Sequence, residues 1–263
     1  MISSDQPRAS SAASNDVERK VVGAAPVGAN DEASASVAVR DMFSSIAPRY
    51  DLLNHVLSMN VDRLWWNRTA KTFRGILARP GVQVLDLCCG TGDMTFALQR
   101  RMGSGSGELL GADFSHAMLV RAREKSGPMP VRWIEADALN LPLAENRFDL
   151  VTAAFGFRNL ANYDRGLTEV YRVLAPDGEV GILDFGEPKG LIGVVYGLYF
   201  RHVLPAIGTM ISGVRGPYAY LPKSVQRFPP PDEMLQRMKA VGFREVSWTP
   251  YTFGIAGLYR GRK

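Results

Sequence analysis

Apolar residues recur at helical spacing in the first third of the chain; from residue 82 they switch repeatedly between short continuous runs and helical periodicity. Before that switch, Met42, Phe43, Ile46, Tyr50, Leu53, Val56 and Leu57 fit short helices interrupted at Pro48, and a longer helix is predicted over 61–77, ending ahead of Pro80. An apolar strand follows at 82–87, then a glycine turn, a helix from about 91 to 101 and a strand at 108–113. A helix over 115–125 comes next, with Ser115 placed to cap it. Residues 131–135, 148–154 and 179–185 read as further strands, with a helix over 164–174 closed by Pro176-Asp177-Gly178. Residues 190–231, rich in aromatic, Gly and Pro residues, break the rhythm and read as an insertion over the carboxyl edge of the sheet. A helix over 232–241 and strands near 243–248 and 252–259 finish the chain. Strands alternating with helices imply right-handed crossovers, so the expected fold class is α/β with a doubly wound, mostly parallel sheet.

Composition changes this picture at the N-terminus. Residues 1–38 hold seven Ser and nine Ala with few large apolar residues, too little to offset the entropy of ordering them. A disordered extension is expected there, followed by one domain over 39–263, a length that buries a substantial core. An excess of 31 Lys+Arg over 26 Asp+Glu, a formal charge of +5, suits nucleic acid, an anionic membrane surface or an acidic ligand without choosing among them. Cys88 and Cys89 are adjacent, which rules out an ordinary disulfide between them and leaves no metal site expected; the composition fits a reducing cytoplasm. No charged start leads into an apolar run, so no signal peptide is expected, and the apolar stretch 190–200 falls short of the roughly 20 residues a membrane span needs.

The chemistry concentrates where strands end. Val84-Leu85-Asp86-Leu87-Cys88-Cys89-Gly90-Thr91-Gly92-Asp93 reads as a buried strand, a tight turn and a helix start whose free N–H groups can meet a ligand. A glycine loop alone is shared with dinucleotide sites and structural turns. Asp113 ends the second strand, where a carboxylate can accept both hydroxyls of a ribose, and Asp137 follows the third, where it can meet an adenine amino edge. Either alone would read as a helix cap; three features at successive strand ends favour a nucleoside site. The third-glycine position of a dinucleotide fingerprint is Thr95, so a dehydrogenase is the weaker reading.

The pattern Asp-x-x-x-Gly-x-Gly, followed by Asp113 and Asp137-Ala138, resembles the cofactor site of class I methyltransferases, with Cys88 standing where a glycine is usual. Three further stretches narrow the likeness to the ubiquinone/menaquinone biosynthesis C-methyltransferase family. The first is Phe43-Ser44-Ser45-Ile46-Ala47-Pro48-Arg49-Tyr50-Asp51-Leu52-Leu53-Asn54, continuing to Leu57-Ser58 and Trp65-Trp66. The second is Phe155-Gly156-Phe157-Arg158-Asn159 with Tyr171-Arg172-Val173-Leu174-Ala175-Pro176-Asp177-Gly178, where Ala154 and Asp177 replace a common serine and glycine. The third is His202-Val203-Leu204-Pro205 with Tyr218, Tyr220-Leu221 and Ser224-Val225.

This resemblance implies a seven-stranded, Rossmann-like sheet with one antiparallel strand and S-adenosylmethionine as cofactor, held by Asp86, Gly90, Thr91, Gly92, Asp113, Asp137 and Ala138. It implies C-methylation of a polyprenylated quinol, demethylmenaquinol before the methoxy-benzoquinol precursor of ubiquinone. A quinol carbon becomes nucleophilic when the neighbouring hydroxyl loses its proton, which calls for a base or a positive group. Arg158 is the candidate to stabilise that oxyanion and Asn159 to orient the ring or the cofactor. On the residues alone, Arg158 reads as a salt bridge holding a loop. Tyr220 and His202 are weaker candidates for substrate contact; Asp51 and Asn54 read as helix caps and Trp65-Trp66 as packing. The expected partners are the quinol and, transiently, the inner face of the cytoplasmic membrane, with Leu191, Ile192, Val194, Val195, Leu198, Phe200 and Leu204 as core or a prenyl tunnel. An RNA methyltransferase would suit the charge, but the chain shows no Asn-Pro-Pro-Tyr-like amine site and no cysteine away from the cofactor strand, so nucleic acid is not expected. A non-enzymatic binding module would need none of Asp113, Asp137 and Arg158.

Overall fold

Gln83–Leu87 form strand β1, whose side chains alternate between two apolar layers: Leu85 and Leu87 enter one, Val84 the other. A strand apolar on both faces belongs mid-sheet, and β1 pairs in parallel with β2 (Glu108–Asp113) on one side and β4 (Phe148–Ala154) on the other. Strand β3 (Val131–Glu135) flanks β2, and β5 (Leu174–Phe185) flanks β4. Strands β6 (Arg244–Tyr251) and β7 (Ala256–Arg262) complete a seven-stranded sheet in the order β3-β2-β1-β4-β5-β7-β6, with β7 antiparallel to both its neighbours. This is the doubly wound sheet with one reversed strand that the sequence led us to expect. The computed structural model describes residues 22–24, 26, 28–51, 58, 60–103, 105, 107–188, 190–198 and 217–263.

Helices cover both faces. Helices α1 (Glu32–Ile46), α2 (Val61–Thr72), α3 (Arg74–Leu77) and α4 (Asp93–Gln99) precede α5 (His116–Ser126), α6 (Tyr163–Val173), α7 (Gly190–Leu198), α8 (Pro217–Arg227) and α9 (Pro231–Val241). Trp65, Trp66, Phe73, Leu77 and Leu98 pack on the Val84 face. Leu167 and Val170 of α6 and Met234 and Met238 of α9 pack on the Leu85 face. Each such side chain contributes roughly 1.5–3 kcal/mol by leaving water. The predicted cap at Ser115 is present, its hydroxyl accepting from the Met118 N–H at 3.4 Å.

The described chain departs from expectation at several places; the last strand, expected near 252–259, starts only at Ala256, because residues 252–254 form the tight turn that reverses the chain. The expected boundary between residues 38 and 39 falls inside α1. Asp31 accepts from the Ser34 N–H at 2.7 Å while the Ser34 hydroxyl accepts from the Asp31 N–H at 3.2 Å, a capping box that starts the helix. Ala35, Val39 and Ile46 are buried, and further upstream the Gly23 and Ala24 N–H groups donate to the Ala161 and Leu160 carbonyls at 2.9 and 2.7 Å. Alanine and serine there are small because the helix lies close against the body of the protein, not because it lacks a partner. The single helix expected over 61–77 breaks at Phe73, with φ −95° and ψ 14°. Strand β5 starts at Leu174, before the predicted turn: Pro176-Asp177-Gly178 is looped out between the pairs Phe148–Leu174 and Leu150–Glu179, with Asp177 at φ 60°. In the 190–231 stretch, α8 packs on the turn at 157–159 and on α1, over the carboxyl edge; residues 199–216 lie outside the described residues, as do Asn54 and the side chain of Val195.

Candidate functional site

Beyond β1 the backbone enters the left-handed region at Cys88 (φ 53°), Gly90 (φ 55°) and Gly92 (φ 91°). Cys88 therefore adopts the conformation that a glycine there takes without strain, at a cost of roughly 1–2 kcal/mol. At Gly92, a Cβ would lie 2.8 Å from the Phe96 ring and 2.9 Å from Trp133, so the start of α4 admits no side chain. Below the loop, Asp86 is fully buried and accepts from the hydroxyls of Thr95 at 2.5 Å and Thr152 at 2.7 Å. Burial pushes its pKa up to about 6. Asp113, at the end of β2, accepts from the Gly90 N–H at 2.8 Å and the Ser115 N–H at 2.9 Å, and burial outweighs these bonds to raise its pKa to about 6. Asp137 accepts from the Leu139 N–H at 2.9 Å.

These strand ends surround a cleft open to solvent, whose empty space counted out to its mouth is about 690 Å³. Of the sequence candidates, Gly90, Asp113, Asp137, Ala138 and Asn159 line it. Asp86, Thr91 and Gly92 stand behind the wall: Asp86 braces the loop from below, and the Thr91 hydroxyl donates to Asp51. Asp51 is thus no mere helix cap. Lys125 Nζ joins it at 2.8 Å, reaching also Asp93 at 3.0 Å and Thr91 at 3.2 Å, and ties the segment after α1 to the glycine loop. Sequence reasoning missed Ser36, Phe43 and Tyr50, which wall the cavity from α1 and the turn after it, and also Phe114, Met118, Phe155 and Leu160. The signal was available for the first three: they recur every seven residues, two helical turns, along one face.

The fourth-strand end is assembled differently. Phe155 sits at φ 58°, and a Cβ on Gly156 would fall 2.3 Å from Cys88 Cβ, so the exits of β1 and β4 touch only because residue 156 is glycine. Arg158 is buried and does not line the cavity; its guanidinium pairs with the buried Asp184 carboxylate at 2.9 Å, donates to the Phe155 carbonyl and lies 5.1 Å over the Phe185 ring. The salt-bridge reading of Arg158 is what the geometry displays. Its backbone N–H also donates to Asp184, at 3.0 Å, so one carboxylate fixes the whole turn. Asp184 was not among the candidates; it is a strand residue with no motif around it. Next to Arg158, Asn159 does face the cavity, and the Tyr220 hydroxyl donates to its Oδ1 at 3.3 Å. Burial pushes the Tyr220 phenol up to about 12, keeping it a neutral donor. His202 lies outside the described residues. Trp65, Phe155 and Phe185 form an aromatic cluster beside this end, with centroids 4.6–6.2 Å apart.

A nucleoside fits the other end: a carboxylate at Asp113, another at Asp137, and the apolar Phe114, Met118 and Leu139 between them, beside a loop whose Gly90 has no side chain to block approach. A family model, the ubiE/COQ5 methyltransferase family, matches residues 29–263. The chain belongs to this family. Its start at residue 29 agrees with the capped helix α1 rather than with a boundary at 38. Demethylmenaquinone methyltransferase of Deinococcus radiodurans is 48% identical over 241 residues, covering 90% of this chain and 97% of that protein. The enzyme of the same name from Thermus thermophilus is 47% identical over 223 residues, covering 84% and 99%. Among solved structures, a SAM-dependent methyltransferase of Thermotoga maritima, a possible histamine N-methyltransferase, shares the fold at TM-score 0.61 with 19% identity, over 85% of this chain and 99% of that one. The family is one of methyltransferases, and this methyltransferase brings Gly90 of the glycine loop, Asp113 at the end of β2 and Asn159 after β4 around one cavity.

Proposed function

We propose that this methyltransferase uses S-adenosylmethionine to methylate a ring carbon of a polyprenylated quinol, with demethylmenaquinol as acceptor. The observation that carries the reading is the pairing, in one cavity, of a carboxylate-lined nucleoside end with an aromatic end at Phe155, close to Trp65 and Phe185. Likeness to two demethylmenaquinone methyltransferases supports the naphthoquinol.

Bound there, the cofactor supplies an electrophilic methyl group on a sulfonium. Asp113 would hold the ribose hydroxyls and Asp137 the adenine edge, with Phe114, Met118 and Leu139 against the base. Ser36, Phe43 and Tyr50 close the wall over them and limit water. At the acceptor end, Asn159, steadied by Tyr220, offers an amide group to the ring hydroxyl. Arg158 contributes positive charge beside the same turn, and its buried Nε has no hydrogen-bond partner among the described residues. The charge of that guanidinium, one residue from the cavity-lining Asn159, would favour the ionised form of the quinol. Asp184 makes Arg158 a fixed charge rather than a mobile one. A prenyl tail gains roughly 0.8 kcal/mol per buried CH₂, so the acceptor resides in lipid and the enzyme meets it at the membrane surface. Among the described residues no helix is long and apolar enough to cross a membrane.

The test is transfer of labelled methyl to demethylmenaquinol and to the methoxy-benzoquinol precursor side by side. Label in menaquinol at a rate at least about tenfold higher, a margin of roughly 1.4 kcal/mol in transition-state binding, is the expected result. Label in neither quinol, from protein that binds S-adenosylhomocysteine, would overturn the reading.

A further inference from the structure

Several apolar side chains outside the core gather where the carboxyl edge meets solvent. Phe253, in the turn between β6 and β7, is 77% exposed, and Leu64 on α2 is 67% exposed. The two flank one junction: Trp65 Nε1 donates to Thr252 Oγ1 at 2.8 Å, and the Arg68 guanidinium lies 4.1 Å over the Tyr251 ring. The turn also abuts the segment leading to α7, since the Gly186 N–H donates to the Ile255 carbonyl at 3.0 Å, and α7 presents Val194 and Leu198 to solvent. Thr252 and Phe253 both stand in the left-handed region, at φ 44° and 59°, a conformation unfavourable for either residue type, and the exposed ring gains no burial in return.

Charge accompanies this edge. The solvent face of α2 carries Arg63, Arg68 and Lys71, running down from this edge, while the acid of that stretch, Asp62, is buried. Glu187 at the rim is exposed and outnumbered. The edge communicates with the cavity, because Trp65 packs on Phe155, a wall residue.

We propose that this edge docks on an anionic phospholipid bilayer, with Phe253 and Leu64 entering the acyl region and the α2 cations lying on the headgroups. The inference rests on the lipid-borne acceptor proposed above and adds where and how the enzyme meets the bilayer. Projecting apolar side chains beside a cationic helix suit an interface with anionic lipid. They do not suit a second copy of the chain, whose matching face would bring like charges together.

The test is co-sedimentation of the full chain with vesicles of phosphatidylglycerol and phosphatidylcholine against vesicles of phosphatidylcholine alone. Binding to the anionic vesicles that falls with added salt is expected. The double variant L64S/F253S should lose most of it, and K71E should weaken it by more than about fivefold, since it removes one cation from the surface and adds an anion. All three positions lie in solvent, so each variant should melt like the parent and methylate a short-chain, water-soluble quinol at the parental rate. Equal sedimentation with both vesicle types, or binding untouched by these substitutions, would overturn the proposal, as would a dimer that dissociates in L64S/F253S. Vesicle binding that persists while no quinol is methylated would leave the docking edge standing and remove the assigned acceptor instead.

Discussion

At the Asp113 end of the cavity the lining carboxylate is held by backbone groups of its own loops, whereas at the other end Asn159 and its neighbour Arg158 are held by side chains from remote elements. Asp113 is gripped by the N–H groups of Gly90 and Ser115, both part of the strand-end turns that form the site. Asn159 and Arg158 depend instead on Tyr220 of α8 and Asp184 of β5. The difference teaches where specificity can change. Backbone donors survive most substitutions, so the seat of Asp113 is insensitive to neighbouring residue types, even though side chains at Asp86 and Lys125 brace the loop beside it. Each side-chain partner of Asn159 and Arg158, by contrast, can be altered singly.

Replacing Asp184 with alanine is the strongest way to break this contrast. It leaves the Arg158 guanidinium buried without its partner and should cost about 3–5 kcal/mol of folding stability by denaturant titration. A loss below about 1 kcal/mol would mean that the turn is held by something other than this pair. Asp113→Ala removes the acceptor for two ligand hydroxyls and should weaken S-adenosylhomocysteine binding about 100-fold in calorimetry, equivalent to about 3 kcal/mol. Unchanged affinity would move the ribose elsewhere.

The raised pKa of Asp113 gives a third, smaller effect. Because the folded value, about 6, exceeds the ordinary 3.8, this group favours the folded state at low pH and loses that contribution as pH rises toward 6. Asp86, also near 6, acts in the same direction. Hydroxyl donors on a ligand favour the charged carboxylate of Asp113 and oppose its protonation. Cofactor-product affinity should therefore rise about tenfold between pH 5 and 7 and level off above, with Asp86 affecting stability but not this slope. A flat profile would show that Asp113 is already ionised at pH 5. The smallest expected change is at the partly exposed Lys125 latch. Lys125→Ala should raise KM for the cofactor about fivefold with kcat nearly unchanged, and Lys125→Arg should recover part of it. An effect on kcat alone would detach the latch from cofactor binding.

Much of this was legible along the chain. The strands at 108–113, 131–135 and 148–154 were read with the bounds they have, because alternating short apolar runs and amphipathic stretches leave few ways to bury both faces of a sheet. The glycine loop and the acids at 113 and 137 were legible for a related reason: they stand where strands end, and strand ends are visible as changes of period. The capped start of α1 was missed because composition was weighed over a whole tail, while a capping box is decided by two residues, Asp31 and Ser34.

Sequence by itself determined the order of elements, the sheet class and the placing of acids at strand ends beside a glycine loop, since these follow from local periodicity and from groups that sit beside nearby backbone. Only the tertiary structure decided that Asp86 and Thr91 stand behind the cavity wall, that Arg158 answers to Asp184, that Tyr220 meets Asn159, and that Trp65 meets Thr252. Those relations join residues 26 to 187 positions apart, and their geometry depends on crossover packing that no local pattern encodes.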